Sequence, residues 1–363
     1  MAGPTYDFQL PAHVQTVLLT GANGFVGREV TKLLLELYPN LRVITTDIVE
    51  PPRYVEDEKR LRAVQADLGK AEDLAKLFEG EKVGGVFALH GIMSGGSEAN
   101  FELGWAVNVD SHVQLLKAVR KHNDEIFGKP DGTNPRIVHV FISSLAVYGG
   151  PKAGPKDHVI PSDTPLIAGT SYGVQKQIGE LYAYDYGRKG YLDTRSLRLP
   201  TVAIRTGAPS TAASSFFSGL IREPLQGLEA ICPVASGPDD PMLDEIPHYL
   251  SRAKTVFRNI VWGMCMPESN FKYGHRSINI PGITITPRQI IAALKEHGGD
   301  EALKLIKYEK DPAVINICLT WAGSYDNSEA LASGFEVDDA KTGFADAVGD
   351  FKAALQEEAA AAK

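Results

Sequence analysis

Cysteine is scarce in this 363-residue chain: Cys232, Cys265 and Cys318 stand far apart with no C-x-x-C pair, which excludes a disulfide framework, a thiolate zinc site and a dithiol redox centre. Basic residues are in deficit, 37 Lys and Arg against 45 Asp and Glu, and a formal net charge of −8 is the wrong sign for a nucleic-acid partner. No apolar run approaches the roughly 18 residues of a membrane span, and residues 1–20 carry no basic stretch followed by an apolar one. The histidines show no H-x-x-x-H spacing, and Asp239, Asp240, Asp244 and Glu245 are interleaved with Pro238, Pro241 and Pro247 as in a solvated loop, so no metal is expected. These absences predict a cytoplasmic, unexported protein. With 44% hydrophobic and 23% charged residues, the chain has a globular composition and is long enough to bury one large core or two coupled ones.

Residues 1–13 contain two prolines and no periodicity, whereas Val14 to Thr20 (VQTVLLT) predicts a buried parallel strand ending at a glycine. Val26, Val30, Leu33, Leu34 and Leu37 mark the apolar stripe of the helix that follows. Further strands are predicted over Leu41–Asp47, Leu61–Asp67, Val83–His90, Arg136–Ser143 and Leu192–Leu199, with helices such as Lys70–Phe78 and Trp105–Val119 between them. Such alternation means a parallel sheet. Beyond about position 205 it ends, and Pro and Gly cluster between 207 and 246. Thr286-Pro287-Arg288-Gln289 is a capping box that starts a helix expected to reach about His297.

Gly21, Gly24 and Gly27, within Gly21-Ala22-Asn23-Gly24-Phe25-Val26-Gly27, are spaced to turn the chain sharply and to bring the free amides of a helix start against a pyrophosphate. The loop follows a strand, opens a helix and is answered by Asp47, 47 − 27 = 20 residues beyond the last glycine. An acid there accepts the ribose hydroxyls and repels a 2′-phosphate, so NAD is predicted over NADP, with Arg42 and Arg53 nearby in sequence as the opposing signal. Asp67 and Leu68, closing the third strand, would flank the adenine; Asp67 reads equally as the cap of the next helix. The expected fold is therefore α/β, a Rossmann-type doubly wound parallel sheet with a smaller, irregular C-terminal region for substrate. The predicted organisation is an N-terminal extension (1–13), an NAD-binding domain (14–204), a mainly substrate-binding region with some segments returning to the sheet (205–345) and a frayed helical tail (346–363).

Tyr172 and Lys176, at i and i+4, project from one helical face. A phenol is a poor base near neutral pH, but a neighbouring ammonium favours the phenolate. Ser143 and Ser144 end the preceding strand, at the sheet edge where a hydroxyl meets the same crevice.

Together the glycine loop, the Ser143-Ser144-x-x-Val147-Tyr148-Gly149 strand end and Tyr172-x-x-x-Lys176 resemble the extended short-chain dehydrogenase/reductase family, also called the NAD-dependent epimerase/dehydratase family. The resemblance implies that Ser144 is the catalytic hydroxyl, Tyr172 the acid/base and Lys176 the ribose ligand that tunes it. It also implies that Asn108 lies behind the nicotinamide, that Asn23, Phe25 and Val26 join the glycines at the cofactor, and that Leu199, Thr201 and Val202 do so after the sixth strand.

A narrower resemblance, carried by SGGSEANF (94–101), SLAVYGGP (144–151), TSYGVQK (170–176), LRLPTV (197–202), AASSF (212–216), IREPL (221–225), CPV (232–234), DPAVI (311–315) and WAGSYD (321–326), is to the D-erythronate dehydrogenase group. It implies oxidation of a small sugar acid, with Ser94, Gly95, Ser144, Tyr172, Ser215 and Arg222 at the substrate. A buried carboxylate requires a cation, which Arg222 would supply; the alternatives are that Arg222 pairs with Glu223 and that Ser214-Ser215 cap a helix.

Where dehydratases of the family carry Asp-Glu after the catalytic hydroxyl, this chain has Leu145-Ala146, and the asparagine of the epimerase motif R-x-x-N-x-Y-G is missing after Arg198. His90-Gly91-Ile92-Met93 replaces an Ala-rich stretch, with His90 read as a buried strand-end residue. An epimerase using the same tyrosine is the competing reading, and a cofactor-sensing binding protein the third; the latter generally loses the tyrosine or lysine retained here. A homodimer through helices centred on 105–119 and 172–187 is expected.

Overall fold

The computed structural model describes residues 8–149, 159–160, 164–207, 214–271 and 275–361. Residues 1–7 of the predicted extension, 150–151 and 212–213 of the quoted stretches and 362–363 of the tail lie outside them.

Seven parallel strands form the main sheet. Its first half alternates as predicted: β1 (Thr16–Thr20), α1 (Phe25–Leu37), β2 (Arg42–Asp47), β3 (Leu61–Gln65), α2 (Ala71–Phe78) and β4 (Gly85–Ala88). Then come α3 (Ser94–Ala99), α4 (Phe101–Trp105), a π turn (Ala106–Asp110) running into α5 (Ser111–Ile126), β5 (Val138–Ser144), the short β6 (Val159–Ile160), α6 (Ser171–Arg188) and β7 (Asp193–Leu199). Side chains alternate between two buried faces. Leu18, Ile44 and Val86 meet Leu74, Leu115 and Leu116 on one face. Val17, Leu19 and Val43 meet Val30 and Leu34 of α1 on the other.

The six predicted strands are present. A seventh comes from far along the chain. After β8 (Thr201–Ala203), α7 (Ser215–Arg222), β9 (Ala230–Cys232), α8 (Met242–Glu245) and β10 (His248–Arg252), helix α9 (Ala253–Cys265) returns to the sheet and β11 (Ser277–Asn279) pairs with β7. The strand order is β11-β7-β5-β4-β1-β2-β3. Val256, Ile260 and Met264 of α9 pack into the same core as α1.

The remaining elements are β12 (Ile283–Ile285), α10 (Pro287–Leu303), β13 (Ile306–Tyr308), α11 (Pro312–Cys318), β14 (Ser324–Tyr325), α12 (Ser328–Ala332) and α13 (Gly343–Ala361). With α7 and β10 they enclose a second core containing Phe217, Ile221, Leu250, Ile290 and Leu294. The capping box forms, Thr286 accepting from Gln289 N and the Gln289 side chain accepting from Thr286 N at 2.8 Å, and the helix runs past His297 to Leu303 across a kink at Gly299. The C-terminal helix forms as α13 and its first half is docked: Phe344, Val348 and Phe351 are buried in this core, Asp350 pairs with Arg252, and Lys352 donates to the His297 carbonyl. Apolar spacing docks the helix despite its alanine-rich end.

Candidate active site

β1, β4, β5 and β7 end on one edge of the sheet, and there a cavity of about 630 Å³ opens. The β1 end supplies the glycine loop. Gly21 has a left-handed φ of +68°, and a Cβ on Gly27 would lie 2.2 Å from the Gly21 carbonyl oxygen, so the turn closes only without side chains. Gly24 precedes α1 with neither a side-chain cap nor an acidic first turn, leaving the first amides of α1 for an anion. At the end of β2, Asp47 accepts from Asn23 N (2.9 Å) and Ile48 N (2.7 Å), which ties the loop to the next strand. Asn23 Oδ1 accepts from Arg28. Arg42 is turned to Glu81 and Arg53 to Glu58, so both basic residues that opposed NAD in the sequence are engaged elsewhere. This cradle fits a dinucleotide.

Two flanking residues are held in other ways. Asp67 Oδ1 accepts from Gly69 N (2.9 Å) in the turn leading to α2, and Leu68 is buried in the core beneath it.

Asn108 sits in the π turn and grips the loop after β4. Its Oδ1 accepts from Ile92 N (2.8 Å), and its Nδ2 donates to Ile92 O, Ser97 Oγ and Gln175 Oε1. Ser94 and Gly95, at the start of α3, line the cavity just beyond. His90, two residues beyond β4, is half-buried rather than fully buried as expected, with Nδ1 2.7 Å from Thr20 Oγ1; desolvation, helped by the charge of Lys176, lowers its pKa to about 3.

Thr170 caps α6 by accepting from Gly173 N (3.1 Å), and the helix buries Tyr172, Lys176 and Glu180 along one face. Ser144, ending β5, lines the cavity with Tyr172, and its Oγ accepts from Ala146 N at 3.1 Å. Lys176 Nζ donates to the Ile142 carbonyl at 2.9 Å and stands 5.7 Å from the Tyr172 ring centroid. Burial dominates both ionisations. It pushes the Tyr172 phenol up to about 12, against the charge of Arg205. It pushes the Lys176 ammonium down to about 8, against the nearby Glu180 carboxylate.

Leu199, Thr201 and Val202 line the cavity, Thr201 bound to His248 at 2.6 Å. Ser214 lines it too, at the N-cap of α7 but without a side-chain capping bond, whereas Ser215, the first residue of that helix, does not. Arg222 is on the wall, yet its guanidinium pairs with Glu223, the alternative drawn from the sequence. The acidic loop residue Asp240 binds Ser236 and Lys310, and Asp244 binds Arg288.

Sequence reading missed Arg205 and His248, both on the cavity wall. Arg205 follows β8 at the carboxyl edge where ligands of such sheets gather, a usable signal; His248 is brought in by β10, and its sequence neighbourhood carries no motif.

A model of the NAD dependent epimerase/dehydratase family matches residues 17–237, more than half of the chain. This chain belongs to that family. Members of the epimerase/dehydratase family are extended short-chain dehydrogenase/reductase enzymes that use NAD(H), in keeping with the glycine cradle. A D-erythronate dehydrogenase from Cupriavidus necator is 38% identical over 331 residues, 89% of this chain and 94% of the relative. A second, from Haemophilus influenzae, is 34% identical over 325 residues, 89% and 95% of the two chains. Among solved structures, a nucleoside-diphosphate-sugar epimerase from Agrobacterium tumefaciens superimposes with a TM-score of 0.80 at 29% identity, covering 96% of each chain. A GalE-like L-threonine dehydrogenase from Cupriavidus necator gives 0.76 at 25%, covering 94% of this chain and 99% of that one. No helix among the described residues is long and apolar enough to cross a membrane.

Proposed function

We propose that the protein oxidises a secondary hydroxyl of a small, D-erythronate-like sugar acid, with NAD as hydride acceptor. The observation that carries this reading is the cavity itself: Ser144, Tyr172 and Lys176 face a space whose described wall holds Lys176, Arg205 and Arg222 but one carboxylate, the exposed Glu98. Such a wall favours an anionic substrate.

In the proposed reaction, the Tyr172 phenolate takes the proton from the substrate hydroxyl, and Ser144 orients the substrate oxygen. Lys176 holds the cofactor ribose, and its charge favours the phenolate. Asn108 fixes the backbone of Ile92 beside this centre. Gly21, Asn23, Gly24, Phe25, Val26 and Gly27 would hold the pyrophosphate, Asp47 the ribose, and Asp67 with Leu68 the adenine side. Leu199, Thr201 and Val202 would complete the cofactor side; Ser94, Gly95, Ser215 and Arg222 form the proposed substrate set. Bound there, NAD supplies the hydride-accepting carbon.

Incubation with NAD and a panel of C4–C6 aldonates and uronates, following NADH, tests the reading. Net NADH with an aldonate supports it. Conversion of a sugar without net NADH would favour an epimerase, the reading that the Agrobacterium tumefaciens structure suggests. Asp47→Ala should narrow the preference for NAD over NADP in kcat/KM, because it removes both a ribose acceptor and the repulsion of a 2′-phosphate; an unchanged ratio would remove Asp47 from the cofactor site.

Two copies would pair through α5 and α6. Val174, Leu181, Tyr182 and Tyr184 of α6 are exposed, an apolar surface that suits such a partner. Leu181→Glu should shift a dimer to monomer in sedimentation experiments. The three buried free thiols suit a reducing cytoplasm.

A further inference from the structure

The three cations of the cavity are not equivalent. Lys176 is bound to the Ile142 carbonyl. Arg222 is paired with Glu223, and its Nη1 donates to the Arg205 carbonyl at 3.3 Å, so it braces backbone. Arg205 lies two residues beyond β8, its amide donating to Ser218 Oγ at 3.3 Å. Among the described residues no carboxylate pairs with its guanidinium. Yet it shares the cavity wall with Tyr172, Ser144 and His248, and its positive charge opposes the effect of burial on the Tyr172 phenol. Glu98 does not answer it: its Oε1 accepts from Ser171 N at 2.6 Å. Arg205 is half-buried, and a guanidinium partly withdrawn from water without an anion is costly.

We propose that Arg205, and not Arg222, receives the carboxylate of the substrate, and that Arg222 is the positioning residue that fixes the Arg205 backbone through Glu223 and the Arg205 carbonyl. The assignment rests on the sugar-acid reading above. It makes Arg205 the residue that separates acids from neutral polyols: an acid completes the ion pair, whereas a neutral ligand leaves the guanidinium desolvated and unanswered.

The test compares a four-carbon aldonate with its carboxamide, which has the same shape but no charge. kcat/KM is measured for both in the parent, Arg205→Met, Arg205→Lys and Arg222→Met, together with the aldonate Kd for the enzyme carrying NADH, followed by NADH fluorescence. In Arg205→Met the acid-to-amide ratio of kcat/KM should fall about 30-fold or more, the range for truncating one member of a buried charge pair. Using the ratio cancels any effect of the arginine on Tyr172. Arg205→Lys should recover part of the ratio, and Arg222→Met should lower both substrates alike. Equal losses for acid and amide in Arg205→Met, or an acid-selective loss confined to Arg222→Met, would overturn the assignment. A parent that binds the aldonate without oxidising it would defeat the proposed reaction but leave this assignment to the Kd series, judged by the same 30-fold loss. A parent that binds no aldonate overturns it.

Discussion

Tyr172→Phe should abolish turnover while NAD still binds. The substitution keeps the buried ring and deletes only the hydroxyl, so the packing of α6 is retained and the proposed proton acceptor is lost. Acid–base catalysis typically contributes about 10²–10⁴-fold, and the loss in kcat should fall in that range or beyond. NADH formation and an NAD titration check the two halves; turnover within tenfold of the parent would remove Tyr172 from the mechanism. The pH dependence has a definite sign. Burial pushes the phenol up to about 12, so little phenolate exists at neutral pH unless positive charge offsets it. Oxidation in the parent should therefore accelerate as pH rises through the phenol's ionisation, and Tyr172→Phe should lack that limb.

Glu180→Ala is expected to cost about 3–5 kcal/mol of stability, the range for stranding one member of a buried ion pair. Arg198 and Glu180 are joined at 2.7 Å with side-chain exposures of 9% and 5%, and the same carboxylate accepts from Ser143 and Ser277. Removing it strands a guanidinium and two hydroxyls between β5, β7, β11 and α6. Glu180→Leu combined with Arg198→Met should recover much of the loss, because neither member of the pair is left without its partner. Urea unfolding measures both; a loss below about 1 kcal/mol for the single change would mean that water reaches the pair.

Strands β1 to β5, β7 and the glycine loop were legible because each is a run of apolar residues or a fixed spacing within one stretch of chain. Tyr172 and Lys176 were legible for the same reason, one helical turn apart. β11 was not: three residues, Ser277–Asn279, are too few for periodicity, and their pairing with β7 depends on distant chain. Arg205 was passed over because its place after a strand was the only signal it carried, and the cavity it shares with His248 and Tyr172 is assembled from distant segments. The Arg222–Glu223 pair was legible as an alternative, since the two residues are adjacent, but only packing decides which way a guanidinium turns.

The return of α9 and β11 to the sheet has a consequence for how the protein is made. During synthesis the ribosome releases the cofactor loop, the tyrosine and the lysine long before residue 279. Until then the free side of β7 offers unpaired backbone groups, and one sheet face lacks the Val256, Ile260 and Met264 that cover it. Such an edge invites pairing with other nascent chains. A fragment ending at 204 would thus carry the recognisable motifs yet aggregate, and gene fusions that exchange halves at that point would separate strands that must meet in one sheet.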